Sequence, residues 1–131
     1  MRLIRKINTG PEVRVRRVAH ALGFRFRLHR VDLPGTPDLA FPGLRKVVFV
    51  HGCFWHQHPG CKLARQPKSR LDYWLPKLRR NQERDRERLE ELTAMGWKVL
   101  IVWECEARST EATAVALRQF LAPIVEAPQE A

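Results

Sequence analysis

Residues Val47–Cys61 concentrate the side chains that bind metals and transfer protons. An apolar run breaks at Gly52. The fifteen residues of the segment hold two of the three cysteines, three of the five histidines and one of the four tryptophans. A strand that ends in such a cluster presents it at a sheet edge, where reactive groups are exposed without disturbing a core. The segment is therefore the first candidate for a functional site.

The cysteines and one histidine have the spacing of a metal site. Cys53, His58 and Cys61 follow a Cys-x4-His-x2-Cys pattern, and Cys105 follows a distant strand. Together they offer the Cys3His shell of structural zinc, with no cysteine left over. A closed shell would tie the loop to the last strand rather than catalyse. The alternative is that the cysteines are small buried apolar residues and the histidine a surface polar group.

Two further histidines and one aspartate are candidates for hydrolytic chemistry. His51 and His56 lie on either side of Cys53, and an imidazole outside the zinc shell is suited to proton transfer near neutral pH. Asp38 follows Pro37 at the start of a predicted strand, where a carboxylate can reach a magnesium ion. An ordinary turn aspartate with a local backbone hydrogen bond is the competing interpretation of Asp38.

Large aromatic residues lie beside this cluster. Phe54 and Trp55 are part of a loop rich in glycine and histidine, where a core is hard to reach. In a basic protein, such aromatics can stack on bases or wedge between them. Trp74 is a third candidate, although core packing explains Trp74 alone equally well.

The composition indicates a polyanionic partner. The 131 residues are 44% hydrophobic, which suits one folded domain, 1–131. Lysine and arginine number 24 against 14 acidic residues, a net charge of +10 that favours nucleic acid, although a charge that serves solubility fits too. Three cysteines, no secretory signal and no apolar stretch of membrane length predict a reducing cytoplasm and no membrane partner.

The N-terminal half of the sequence predicts a helix and three strands. Thr9-Gly-Pro-Glu12 has the pattern of a capping box, with Gly23 as the stop. Alternation over 24–29 predicts a half-buried strand, and 38–41 and 44–50 predict two more, joined by a tight Pro42-Gly43 hairpin. Residues 1–8 form either an arm along DNA or a frayed terminus.

The C-terminal half predicts two helices around one strand. Ser69 is a candidate cap for a short helix, with a kink or restart at Pro76 and a long helix over 77–95. Residues 97–103 predict a buried strand, 110–121 a closing helix and 127–131 a loose tail. This order predicts a three-layer α/β sandwich with a mixed central sheet, the core of PD-(D/E)xK restriction endonucleases, stapled by structural zinc.

Several separate motifs resemble the very short patch repair (Vsr-type) endonucleases. They are Val-Phe-Val-His-Gly-Cys-Phe-Trp-His-x-His-Pro-Gly-Cys, Trp74-Leu, Asn81-x-x-Arg84-Asp85, Gly96-Trp97 and Val102-Trp-Glu-Cys105. The resemblance spans about Ile4 to Arg108. It implies a magnesium-dependent endonuclease that nicks one strand of duplex DNA at a T·G mismatch. It further implies a monomer in the bacterial cytoplasm, associated with the nucleoid on DNA, and mismatch-repair proteins as possible partners.

The resemblance also implies roles for single residues. Asp38 and the backbone carbonyl of Val50 would bind magnesium, and Glu12 would reach the metal through water, in competition with its capping role. His56 would activate water, supported by His51 and oriented by Asp85, which lies in a polar helical run that otherwise indicates a solvated face. The family's zinc ligands fall on Cys53, His58, Cys61 and Cys105. Its DNA contacts fall on the wedge residues Phe54, Trp55 and Trp74, and on Lys77, Arg108 and Ile4.

The sequence departs from the family in one place and leaves two alternatives open. Relatives carry a further basic stretch before the position of Met1, so we expect weaker and more salt-sensitive DNA binding here. The usual acidic-x-Lys position reads Phe49-Val-His51, which excludes a lysine-based mechanism and is a trait of the family. One alternative is a homing or restriction-associated nuclease without mismatch preference. The other is a zinc-containing DNA-binding module without catalysis.

Overall fold

The computed structural model describes residues 9–122, so the predicted arm, the predicted tail and Ile4 lie outside the described residues. The helices of this part are α1 (Gly10–Ala21), α2 (Leu71–Ala94), α3 (Glu104–Ala107) and α4 (Thr110–Leu121). The strands are β1 (Arg27–Leu28), β2 (Leu39–Phe41), β3 (Lys46–His51) and β4 (Lys98–Trp103). Among residues 9–122, none of the helices combines the length and apolar character that a membrane span requires.

The four strands form one mixed sheet in the order β1-β2-β3-β4. The β1–β2 and β2–β3 pairs are antiparallel, whereas β3 and β4 are parallel and pair from Lys46 with Lys98 to His51 with Trp103. The parallel pair therefore brings His51 and Trp103 to the same sheet edge. Asp38, just before β2, reaches that edge because β2 runs in the opposite direction.

Apolar residues cover both faces of the sheet, and helices pack on each face, so the molecule has three layers. On one face Val48 and Val102 pack against α1, α3 and α4, in a core that also holds Val15 and Leu117. On the other face Val47 packs with Leu92 of α2 and with Leu33, Ala40 and Trp97. Alternate residues of β3 and β4 thus face opposite layers, which explains their continuous apolar runs. The predicted three-layer sandwich with a mixed sheet is confirmed.

Local signals explain the helix ends. Thr9 caps α1 by accepting a hydrogen bond from the Glu12 backbone N–H, and Gly23 follows its end with φ +91°. Ser109 caps α4 in the same way, accepting from Ala112. The predicted bounds of α4 are confirmed, as is the start of α1.

Three local predictions were wrong. The helix around Trp74 does not restart at Pro76: α2 is continuous, and its N-cap is Arg70 in the left-handed region rather than Ser69. Proline removes only the hydrogen bond to the Asp72 carbonyl, and Asp72 is exposed, so the helix continues. The tight hairpin is instead a 3-10 turn over Pro42–Leu44 that ends at left-handed Arg45. Only Arg27 and Leu28 of the predicted first strand pair with a neighbour.

Candidate active site and metal centres

Asp38 is fixed at the sheet edge by the neighbouring strand. The Val50 backbone N–H donates to Asp38 Oδ2 at 2.7 Å. Burial raises the pKa of Asp38 to about 6; the Val50 hydrogen bond opposes this rise, and the charge of Glu12 adds to it. A cation bound beside Asp38 would stabilise the ionised form of its carboxyl group.

A second carboxylate and an imidazole complete this cluster. Ligand atoms of Glu12, His29 and Asp38 all lie within 4.8 Å of one another. Glu12 is 2% exposed, and the His29 Nε2–H donates to its Oε2 at 2.5 Å. Oxygen donors of this kind suit magnesium, and two adjacent carboxylates supply the charge. Glu12, Asp38 and Val50 line one cleft, so the residues present fit the predicted ion.

The predicted proton-transfer residues form a second cluster. The His56 Nδ1–H donates to Asp85 Oδ2 at 2.6 Å, which leaves the lone pair on Nε2. His51 stacks on His56 with ring centroids 3.7 Å apart and an interplanar angle of 6°. Burial, with the charge of His56 adding to it, lowers the pKa of His51 to about 4, so His51 is neutral at physiological pH.

Both clusters face the same space. Two clefts, of about 620 Å³ and about 480 Å³, are both lined by Asp38, Val50, His56 and Arg84. A group bound at Asp38 and a group bound at His56 therefore share one cavity.

The four predicted zinc ligands come together. Ligand atoms of Cys53, His58, Cys61 and Cys105 lie within 4.8 Å of one another. The distances from His58 Nδ1 are 3.7 Å to Cys53 Sγ and 3.4 Å to Cys105 Sγ. Tetrahedral zinc holds sulfur and nitrogen ligands about 3.6 Å apart, so the spacing fits. Burial raises the pKa of the Cys53 thiol to about 12, and a thiol so buried ionises only beside a cation.

The predicted wedge residues pack on one another. Ring centroids are 5.2 Å apart for Phe54 and Trp55, 5.5 Å for Phe54 and Trp74, and 5.8 Å for Trp55 and Trp74. All three residues are half-buried, rather than freely exposed as predicted for the loop pair. Asn81 donates to the Trp55 carbonyl at 3.3 Å and ties the loop to α2.

Lys77 and Arg108 are the two other predicted DNA-contact residues in the described part of the chain. Lys77 lines the larger cleft beside Trp55. Arg108 is 57% exposed, and its Nη2 lies 4.0 Å from Glu104 Oε2. Glu104 also accepts from the Cys53 backbone N–H at 3.2 Å and so supports the loop that begins at Gly52.

Sequence reasoning missed His29 and the cleft-facing role of Arg84. His29 has φ +48° at the end of β1, an unusual conformation for a non-glycine residue that the sequence does not reveal. Its partner Glu12 is 17 residues away on α1. Arg84 belongs to the Asn81-x-x-Arg84-Asp85 motif, but nothing in the spacing of the motif indicates that Arg84 lines both clefts.

Comparison with known proteins gives consistent matches. A family model described as DNA mismatch endonuclease Vsr matches residues 1–62. The type II nicking enzyme V.XorIIP of Xanthomonas oryzae pv. oryzae is 53% identical over 123 residues, 94% of this chain and 90% of the relative. The DNA mismatch endonuclease Vsr of Escherichia coli is 43% identical over 111 residues, 85% of this chain and 70% of the relative.

One solved structure has the same fold. The catalytic domain of the homing endonuclease I-Bth0305I matches with a TM-score of 0.59 at 18% identity, covering 86% of this chain and 94% of that domain. At this identity the likeness concerns the fold alone. It agrees with the predicted restriction-endonuclease-like core.

Proposed function

The chain belongs to the Vsr family of DNA endonucleases, and from this premise we propose that it nicks one strand of duplex DNA at a T·G mismatch, with magnesium as cofactor. One observation carries the proposal: Asp38 and the His56–Asp85 pair line the same cleft. Metal-assisted hydrolysis requires a carboxylate that binds the metal and a proton acceptor, both close to the same phosphodiester.

Asp38 and the Val50 carbonyl would hold the magnesium ion, with Glu12 acting through water. When bound there, magnesium supplies positive charge that stabilises the scissile phosphate in the transition state. His29 keeps the Glu12 carboxylate oriented through its 2.5 Å hydrogen bond.

His56 acts as the general base. Asp85 holds its Nδ1–H, so Nε2 takes the proton from the attacking water. The neutral, buried ring of His51 stacks on His56 and keeps it in one plane. Stacking on a neutral partner avoids the repulsion that a second imidazolium would add.

The aromatic cluster gives mismatch selectivity a physical basis. Phe54, Trp55 and Trp74 would enter the duplex as one unit, because each ring packs on the other two. Unstacking costs less where the pairing is already impaired, as at T·G. Zinc at Cys53, His58, Cys61 and Cys105 would hold the loop that carries this unit.

The test is a nicking assay on T·G, other mismatched and fully matched duplexes with and without magnesium. We expect magnesium-dependent nicking of the T·G duplex only. Asp38→Ala and His56→Ala should each reduce nicking by a factor of about 100 or more, with DNA binding retained. Equal cleavage of matched and mismatched duplexes would instead support a sequence-specific nuclease. DNA binding with no cleavage of any duplex would support a non-catalytic module.

A further inference from the structure

The surface of α2 that faces the sheet is polar at its centre. Asn81, Arg84, Asp85 and Arg88 lie on one side of the helix, between the buried Leu78 and Leu92. A helix that packs on a sheet normally presents an apolar stripe. Packing alone therefore does not explain this surface.

A cleft of about 480 Å³ lies between this part of α2 and the sheet. Its sheet-side wall includes Phe49, Val99 and Ile101, and its far end is formed by Gly35, Thr36 and Arg88. We call this space the distal cleft. The cleft of about 620 Å³ that contains Trp55 and Lys77 is the proximal cleft. The two share Asp38, Val50, His56 and Arg84, so they form one groove with the proposed catalytic groups at its middle.

Two guanidinium groups line the distal cleft one helical turn apart. The Arg84 side chain makes no hydrogen bond or ion pair with any other residue of the described range 9–122. The Arg88 side chain makes one exposed polar contact, from Nη1 to Glu91 Oε1 at 3.3 Å. Most of the N–H donors of the Arg88 guanidinium are therefore available to a ligand.

The stem of Arg88 is held in place by the opposite loop. A Cβ atom on Gly35 would lie 3.2 Å from Arg88 Cγ and 3.1 Å from Phe49 Cζ. Gly35 has φ +77°, so a side chain there would also strain the backbone. The loop thus packs closely on Arg88, which limits the positions of its guanidinium.

We infer that the distal cleft binds the phosphate backbone of the nicked strand on the side of the scissile bond away from the aromatic wedge. Arg84 contacts the phosphate beside the scissile position, and Arg88 contacts the next one along the strand. Residues four apart on a helix lie about 6 Å apart along its axis, which suits two neighbouring phosphates. Guanidinium groups bind phosphate oxygens through charge-assisted hydrogen bonds. This inference rests on the proposed nicking function.

The first test compares Arg88→Ala with Arg86→Ala, a control on the exposed outer side of the same helix. We expect Arg88→Ala to raise KM and the dissociation constant for duplex DNA about tenfold, with kcat retained. The slope of log affinity against log salt should fall in magnitude by about 1. Arg88→Lys should restore the slope, because the charge returns. Arg86→Ala should match the wild type.

The second test identifies the phosphate. Single neutral methylphosphonates are placed along the nicked strand, and binding is measured without magnesium. One substitution on the wedge-distal side should weaken wild-type binding and leave Arg88→Ala unaffected, the result of a double-mutant cycle between partners in contact. The inference is overturned if Arg88→Ala keeps the wild-type salt slope, or if sensitive phosphates lie only on the wedge side. A wild-type protein that binds but never nicks would overturn the proposed function instead, because these binding measurements do not require cleavage.

Discussion

Asp38 is the residue at which stability and function conflict most directly. The folded protein raises the pKa of this carboxyl from 3.8 to about 6, mainly through burial. The folded state therefore holds the Asp38 proton more tightly than the unfolded state does. Stability contributed by that proton is present below pH 4 and is lost as the pH rises through 6. A bound cation would reverse this loss by stabilising the ionised form.

We predict that Asp38→Asn is more stable than the wild type above pH 6 when divalent ions are absent. The difference should vanish below about pH 3, because Asp38 is then protonated in both the folded and the unfolded state. The difference in pKa corresponds to roughly 3 kcal/mol of unfolding free energy at full ionisation. Urea denaturation at a series of pH values measures it.

Glu90→Gln is the control for this measurement, since Glu90 is exposed on α2. Its stability should follow the wild-type pH profile. Magnesium should stabilise the wild type at pH 8 and leave Asp38→Asn unchanged. A wild-type stability that rises between pH 4 and 6 relative to Asp38→Asn would contradict the raised pKa.

At the scale of secondary structure, α2 carries both an internal proline and the carboxylate of the proposed general-base pair. It supplies Asp85 and Asn81 to the site, and it contains Pro76 in its second turn. Proline inside a helix removes a hydrogen bond and crowds the preceding turn. Pro76 lies between Trp74 and Lys77, at the end of the helix that borders the proximal cleft. The lost hydrogen bond therefore lowers the stability of the helix at this end.

We predict that Pro76→Ala stabilises the protein by about 1–3 kcal/mol, because it restores the bond to the Asp72 carbonyl. The change should raise the urea midpoint without changing the denaturant slope. Gln82→Ala, an exposed site on the same helix, should have a much smaller effect. An unchanged midpoint for Pro76→Ala would mean that the proline costs the helix nothing.

Elements with local signals were predictable from the sequence. Thr9 and Gly23 mark the ends of α1 through capping and left-handed geometry, and continuous apolar runs mark β3 and β4. The short helix α3 was not predicted, because its four residues carry too little local information. The continuity of α2 through Pro76 depends on the exposed Asp72 carbonyl, which no sequence pattern reveals.

The same contrast holds for the site. The Cys3His cluster was predicted from spacing, since three of its members lie within nine residues. His29 could not be predicted, because its contact with Glu12 exists only after α1 and β1 have met. The polar centre of α2 resembled an ordinary solvated surface, and only the position of the sheet shows that it faces inward.

At the scale of the whole molecule, the site is assembled from residues that lie far apart in the chain. Glu12 comes from α1, Asp38 from the residue before β2, Val50 and His51 from β3, and Asp85 from α2. His56 comes from the loop between β3 and α2. That loop has little regular structure of its own. Its contacts with the rest of the protein include the Cys3His cluster, the 3.2 Å hydrogen bond from Cys53 to Glu104 and the hydrogen bonds that link α2 to Trp55 and to His56.

We predict that this cluster binds one zinc ion per chain and that Cys105→Ser loses it. The variant should melt roughly 5–10 °C lower, because the link between the loop and α3 is cut. Hydrogen exchange should increase over 52–61, whereas β3 and β4 should stay protected. Nicking should fall further than stability alone explains, since His56 and the wedge residues lose their positions. Metal analysis, calorimetry, exchange mass spectrometry and a nicking assay measure the four effects, with Ala112→Ser on exposed α4 as the control. A wild-type chain that purifies without zinc, or a variant loop that exchanges like the wild type, would show that the sheet and α2 hold the loop by themselves.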